Sequence, residues 1–214
     1  YPIVNAGTDF WMNFGEPINK MEYAKKLGAT LAYLFLCQGD AVGLHTLKKK
    51  SPITLPAKRT PAQVQEILEV LGPLKAGGKT TLSQSLHEIA ESARMRGLVV
   101  IISDFFEEIT DITNAITHLR DRKHDVILFH LLDQRELEFT FDRPIRFVDL
   151  EGDGSIITEP SLIREEYLSI LDQHIESILH HCLGCESSYF KINTNQPVSE
   201  TLDMLKKSHR GGTS

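Results

Sequence analysis

Leu98-Val99-Val100-Ile101-Ile102-Ser103-Asp104 is an apolar run without interruption that ends in two oxygen-bearing side chains. A strand with no polar alternation is covered on both faces, which predicts an α/β sheet with helices on both sides. Val126-Ile127-Leu128-Phe129-His130-Leu131-Leu132 has the same character, with His130 read as a core histidine that needs a hydrogen-bond partner. Between the two runs, Ile112, Ile116 and Leu119 recur at helical spacing over 111–122. Strand, helix and strand in that order predict a Rossmann-like, doubly wound, mostly parallel sheet.

The pattern extends outward from there. A short strand is expected over 1–4, then a helix over 20–38 with Met21, Ala24, Leu27, Leu31 and Leu34 on one face and Gly39-Asp40 as its stop. A strand over 41–47 follows, and prolines bracketing 53–55 mark a short edge strand. Thr60-Pro61-Ala62-Gln63 combines an N-cap, a proline at the first helical position and a capping-box glutamine, opening a helix that runs to about Leu71. The next helix carries Leu82, Leu86, Ile89 and Ala93, and Gly97 stands where a left-handed cap belongs. Beyond the second apolar strand, 143–149 and 155–158 flank Glu151-Gly152-Asp153-Gly154 and predict a small β-hairpin insertion appended to the sheet. Ser161 caps a long helix to Cys182 that buries Leu168, Leu171, Ile175, Ile178 and Leu179, and a strand over 188–192 and a helix over 199–207 close the chain. No linker, repeat or low-complexity segment divides it, so one domain is expected over 1–210, with 211–214 as a tail.

Composition narrows the function classes. The 214 residues are 41% hydrophobic and 24% charged, which suits an ordinary buried core, and a formal charge of −6 provides no basic footprint for nucleic acid. Lys48-Lys49-Lys50 beside Pro52 reads as a solvated turn. Three cysteines argue against a disulfide framework and for a reducing compartment, with the cytoplasm as the expected location. The longest apolar stretch, 27–37, is too short and too interrupted to span a bilayer, and no basic-then-apolar leader opens the sequence, so no membrane contact by this segment is expected. The first residue is Tyr1, which implies an upstream start codon or trimming, and upstream sequence could carry part of the function.

Two loops carry the chemistry. Gly77-Gly78-Lys79-Thr80-Thr81 opens a helix, and Ser103-Asp104 ends a strand; open α/β sheets bind ligands at such places. Hydroxyl and carboxylate oxygens there suit a hard cation such as Mg²⁺. The same loops mimic a nucleotide-binding loop with its acidic partner, but Pro73 replaces the first required glycine and the loop follows the helical Leu68-Glu69-Val70-Leu71, so no nucleotide is expected. Cys182-Leu183-Gly184-Cys185 behind His180-His181 could be half a zinc site, yet no second Cys/His pair exists; a buried helix face with a polar last turn explains it better. Asp104, Glu107 and Glu108 cluster carboxylates that could serve metal-assisted hydrolysis or simply start a helix. Ser103, His87 and Asp104 form no triad by pattern, since nothing in the sequence places a histidine beside the serine.

Nearly the whole chain resembles a known family. Asn13-Phe14-Gly15, Lys20-Met21-Glu22-Tyr23-Ala24, the stretch from Leu31 through Gln38-Gly39-Asp40 to Leu44, Gly77-Gly78-Lys79-Thr80-Thr81-Leu82, Val100 to Phe105, Asp125-Val126 into His130-Leu131-Leu132-Asp133, Glu136, Phe139, Asp149-Leu150-Glu151 and Tyr167 are similar to the von Willebrand factor A-like proteins of unknown function that accompany MoxR-type AAA+ ATPases in bacteria. The resemblance implies a von Willebrand factor A-like sheet and a metal-ion-dependent adhesion site built from an Asp-x-Ser-x-Ser loop, a threonine and an aspartate. Thr80 and Asp104 match. In the first loop the three ligand positions fall on Asn5, Gly7 and Asp9 in one register, and on Gly7, Asp9 and Trp11 in the other, and both lose the serines. What the resemblance leaves is a degenerate site of Asp9, Thr80 and Asp104.

These readings lead to an expectation of a bacterial protein–protein interaction module, not an enzyme, accessory to a MoxR-type AAA+ ATPase and engaging an unknown client. Its binding face would be the upper sheet edge around Asp9, Thr80, Thr81, Ser103 and Asp104, with or without Mg²⁺. Two alternatives stay open: a metal-dependent hydrolase using Asp9, Asp104 and Glu107, and a metal-free scaffold domain.

Overall fold

The computed structural model describes residues 2–4, 20–47, 52–75, 82–93, 95–139, 145–148, 155–158 and 160–211. Asp9, Thr80 and Thr81 lie outside them, as do the rest of the first loop and the Gly77-Gly78 turn. The described strands are β1 (Pro2–Val4), β2 (Val42–Thr46), β3 (Ile53–Lys58), β4 (Leu98–Ser103), β5 (Asp125–Leu132), β6 (Ile145–Val148), β7 (Ser155–Thr158) and β8 (Ser188–Asn193). The helices are α1 (Lys20–Cys37), α2 (Ala62–Leu71), α3 (Leu82–Ser92), α4 (Ile109–Asp121), α5 (Gln134–Glu138), α6 (Pro160–Gly184) and α7 (Val198–Gly211).

Six strands form one sheet in the order β3-β2-β1-β4-β5-β8, parallel except for β3 at the edge. β4 is central because both of its faces are apolar. Val100 and Ile102 pack with Ala24, Leu27 and Leu31 of α1 and Ile67 and Leu71 of α2, while Val99 and Ile101 pack with Leu82 and Leu86 of α3, Ile112 and Ile116 of α4 and Ile178 of α6. Each such fully buried aliphatic side chain contributes roughly 1.5–3 kcal/mol of transfer free energy. Helices on both faces, anticipated from the unbroken strands, are therefore observed, and so is Cys182 on the buried face of α6. From β1 the chain steps to β2 on one side and later to β4 on the other. The carboxyl ends of β1 and β4 thus flank the switch point, where such sheets leave a crevice.

Several local expectations change. Gln63 makes no capping box: α2 has Pro61 at its N-cap without a side-chain bond. Its buried amide instead donates to the carbonyls of Val42 (2.9 Å) and Pro56 (3.0 Å). The β2–β3 ladder shifts register there, and Gln63 supplies donors where ladder bonds are interrupted. β3 runs through Pro56 to Lys58, which an edge position tolerates. Gly97 is not a left-handed cap. α3 already ends at Ser92, and Gly97 instead accepts a backbone hydrogen bond from Asp125 beside the start of β4. Leu168 and Leu179 are only half-buried on α6. The hairpin pairs β6 with β7 as a separate antiparallel sheet, not as an extension of the main one.

Candidate functional site

β4 delivers Ser103 and Asp104 to the carboxyl edge, and the chain turns at once. Phe105 takes a left-handed backbone conformation, φ 52°, a cost of order 1 kcal/mol for a bulky residue that the surroundings must offset. Its ring is fully buried, whereas the next residue, Phe106, is 59% exposed. Ser103 Oγ accepts from the Phe105 amide at 3.0 Å, and the Phe105 carbonyl accepts from the Glu107 amide and from His174 Nε2, each at 2.9 Å. The turn is thus held from its own residues and from α6.

Glu107 has a role that the sequence concealed. Its two carboxylate oxygens accept from the backbone amides of Leu82 and Ser83, the latter at 3.0 Å. Those amides open α3 and have no intrahelical partner, so Glu107 caps another helix from across the site and complements its dipole. The start of α3 and the Asp104 turn, read separately along the chain, are thereby brought together. Glu107, which the hydrolase reading names as a site residue, is engaged through both oxygens in this cap.

Asp104 is buried, and desolvation pushes its carboxyl pKa above the usual range; the Lys20 ammonium opposes that shift and Glu136 adds to it. Lys20, the first residue of α1, is held by Glu136 at 2.6 Å. Glu136 is itself fixed in a capping box: its side chain accepts from the Asp133 amide at 2.9 Å while Asp133 Oδ1 accepts from the Arg135 amide at 2.7 Å. The ion pair spans from α1 to α5 over the carboxyl edge. Of the three ligands implied by resemblance only Asp104 is among the described residues, and the charges of Lys20 and Glu136 act on it there. Among those residues no group of three or more His, Cys, Asp or Glu side chains is placed to hold a metal.

Parallel register also puts a histidine next to the serine. His130 of β5 is the cross-strand partner of Ser103, a proximity that strand pairing alone creates. His130 Nδ1 lies 2.7 Å from the Tyr189 hydroxyl, and its ring meets Phe105 edge-on at 5.2 Å. Burial, more than the nearby charge of His174, pushes its pKa down to about 3. A base that weak, under a Ser103 that is itself buried, does not activate a nucleophile near neutrality. His87 is elsewhere, paired with His118 between α3 and α4.

A carboxyl kept out of water weakens the fold when ionised. With the folded pKa raised, the folded state binds more protons than the unfolded state above the ordinary aspartate value of 3.8, so its stability falls as pH rises through the folded pKa. Asp104→Asn is expected to unfold at a higher temperature than the parent at pH 7, with the gap closing as pH falls toward 4. Equal melting temperatures at both pH values would show that Asp104 is solvated.

The fold is similar to the crystal structure of the conserved hypothetical protein BatB from Bacteroides thetaiotaomicron, with TM-score 0.57 and 12% identity over 100% of this chain and 98% of that one. It is also similar to an aerotolerance-related membrane protein from Bacteroides fragilis, with TM-score 0.52 and 15% identity over 96% of each chain. At such identities the likeness speaks to the fold alone. Among the described residues of the present chain, no helix is long and apolar enough to cross a membrane. Uncharacterized proteins of Mycobacterium bovis and Mycobacterium tuberculosis are 21% identical over 201 residues, which is 90% of this chain; the chain spans 62% of the length of these curated relatives. The model of the family described as protein of unknown function DUF58 matches residues 10–177, most of the chain, and the chain belongs to that family.

Proposed function

We propose that this chain is a protein-binding module of von Willebrand factor A-like, doubly wound type that docks its partner on the carboxyl edge of the sheet, at the turn Asp104-Phe105-Phe106-Glu107. The observation that carries this reading is the turn itself: a desolvated carboxyl and a left-handed phenylalanine hold the exposed ring of Phe106 at the switch point. Cost concentrated at an exposed aromatic is what a binding site uses and a purely structural turn avoids. By the resemblance quoted above, the partner is a MoxR-type AAA+ ATPase in the cytoplasm, and the module links it to a client.

Capture is taken to be independent of Mg²⁺, because Lys20 already brings a positive charge to Asp104. Pull-down of a MoxR-type ATPase from the same organism tests the reading. Phe106→Ala is expected to weaken capture by about tenfold or more, the size of a hot-spot loss, while leaving the melting temperature within a few degrees, and EDTA is expected to change nothing. Undiminished capture by Phe106→Ala would remove this face. Loss with EDTA, restored by Mg²⁺, would return the ion to the site.

A further inference from the structure

The helices α3 and α4 pack side by side and bring two imidazoles together on the surface, away from the carboxyl edge. Nδ1 of His87 and Nδ1 of His118 lie 2.8 Å apart, with ring centroids at 5.1 Å and the planes tilted by 41°. The far nitrogen of His118, Nε2, is 2.9 Å from Glu91 Oε1, and the other oxygen of Glu91 is held by Arg122. An ionised carboxylate only accepts, so Nε2 of neutral His118 carries the proton and its Nδ1 presents a lone pair to His87. His87 must then donate from Nδ1, and a single proton lies between the two ring nitrogens.

We propose that His87 and His118 form a two-nitrogen site for a borderline divalent ion such as Zn²⁺, which takes the place of that shared proton. Two imidazole nitrogens on one tetrahedral zinc, each at about 2.0–2.1 Å, stand roughly 3.3 Å apart. The rings therefore need to open by only about half an ångström from their present spacing. Both rings are half-buried at the helix surface. On binding, His87 moves its proton from Nδ1 to Nε2 through solvent, so neutral imidazoles bind without net proton release. The Glu91–His118 contact is the outer carboxylate that orients a ligating histidine and raises its basicity, and Arg122 fixes that carboxylate in turn.

The surroundings suit a cation. A groove of about 790 Å³ opens beside His87, with Glu88, Glu91 and Asp111 in its wall beside Ser83, Gln84 and Asn114. Since no third His, Cys, Asp or Glu among the described residues is placed to close the shell, the ion keeps positions for water or for an anionic ligand entering the groove. This site is independent of the carboxyl-edge reading and stands or falls without it.

Titration of the 214-residue chain with Zn²⁺ in a non-chelating buffer at pH 7, followed by calorimetry and by ¹⁵N shifts of the histidine rings, tests the proposal. One equivalent is expected to bind and to move the Nδ1 resonances of His87 and His118 together. Glu91→Gln is expected to lower the affinity by about tenfold, within the range found for outer-sphere partners, and His87→Ala and His118→Ala to abolish this equivalent. The double variant of His180 and His181 is expected to bind as the parent does. Binding that survives His87→Ala and His118→Ala, binding lost only with His180 and His181, or no binding at all would overturn the site. Should an alanine variant fail to fold, the ring shifts of the parent and the surface change Glu91→Gln still decide it.

Discussion

Acidification from pH 6.5 to 4.5 is expected to cost the folded chain about 2 kcal/mol through His130 alone, the slope approaching about 1.36 kcal/mol per pH unit below 6.5. The sign follows from proton counting. Burial pushes the pKa of His130 down to about 3 in the folded chain from the ordinary histidine value of 6.5 in the unfolded one, so between those values the unfolded chain binds the extra proton. Its contribution is fully present above 6.5 and is lost as pH falls toward 3. His174, His45 and His124 are also shifted down, each first by burial, and add in the same direction. Asp104 acts oppositely at the acid end, since its carboxyl is shifted up. Urea unfolding of His130→Asn across this range isolates the term: the variant's stability should fall less steeply than the parent's by about 1.36 kcal/mol per unit. Parallel curves would mean that His130 protonates without hindrance in the folded chain.

Glu107→Ala carries the second large effect. Two amides at the start of α3 lose a charged acceptor, and helix caps together with bonds to charged groups set the loss at about 2 kcal/mol. Glu107→Gln keeps one good acceptor oxygen and should lose about half as much. The loss should centre on α3, whose amides near Leu82 should exchange faster with solvent while those of β5 keep their protection. A change below about 0.5 kcal/mol for alanine, the level of an ordinary surface substitution, would contradict the cap.

Strand character was legible wherever burial was two-sided. Leu98 to Ser103 and Val126 to Leu132 announced themselves because no polar residue interrupts their inner positions apart from His130. Contacts between distant segments were not legible. Gln63 looked like a cap because spacing is local information, whereas the ladder interruption it fills lies across β2 and β3. Glu107 looked like an acidic helix start for the same reason; its partners are 24 and 25 residues earlier. The neighbour of Ser103 was hidden in strand register, which pairs it with His130. Lys20 gave no sign of its part at the site, because that part comes from an ion pair between α1 and α5 near Asp104. At the site, the sequence showed Asp104 and Ser103 at a strand's end, but not that Ser103 is buried and Phe106 exposed.

Docking at the Asp104 turn should be visible in amide hydrogen exchange measured with and without the MoxR-type ATPase. Protection is expected at residues 104–108, at the first turn of α3 from Leu82, and around Asp133 to Glu136, which surround the Asp104 turn. Protection confined to the opposite sheet edge, around Gly97, His124 and Glu186, or unchanged exchange in a verified complex, would mean that the partner docks elsewhere.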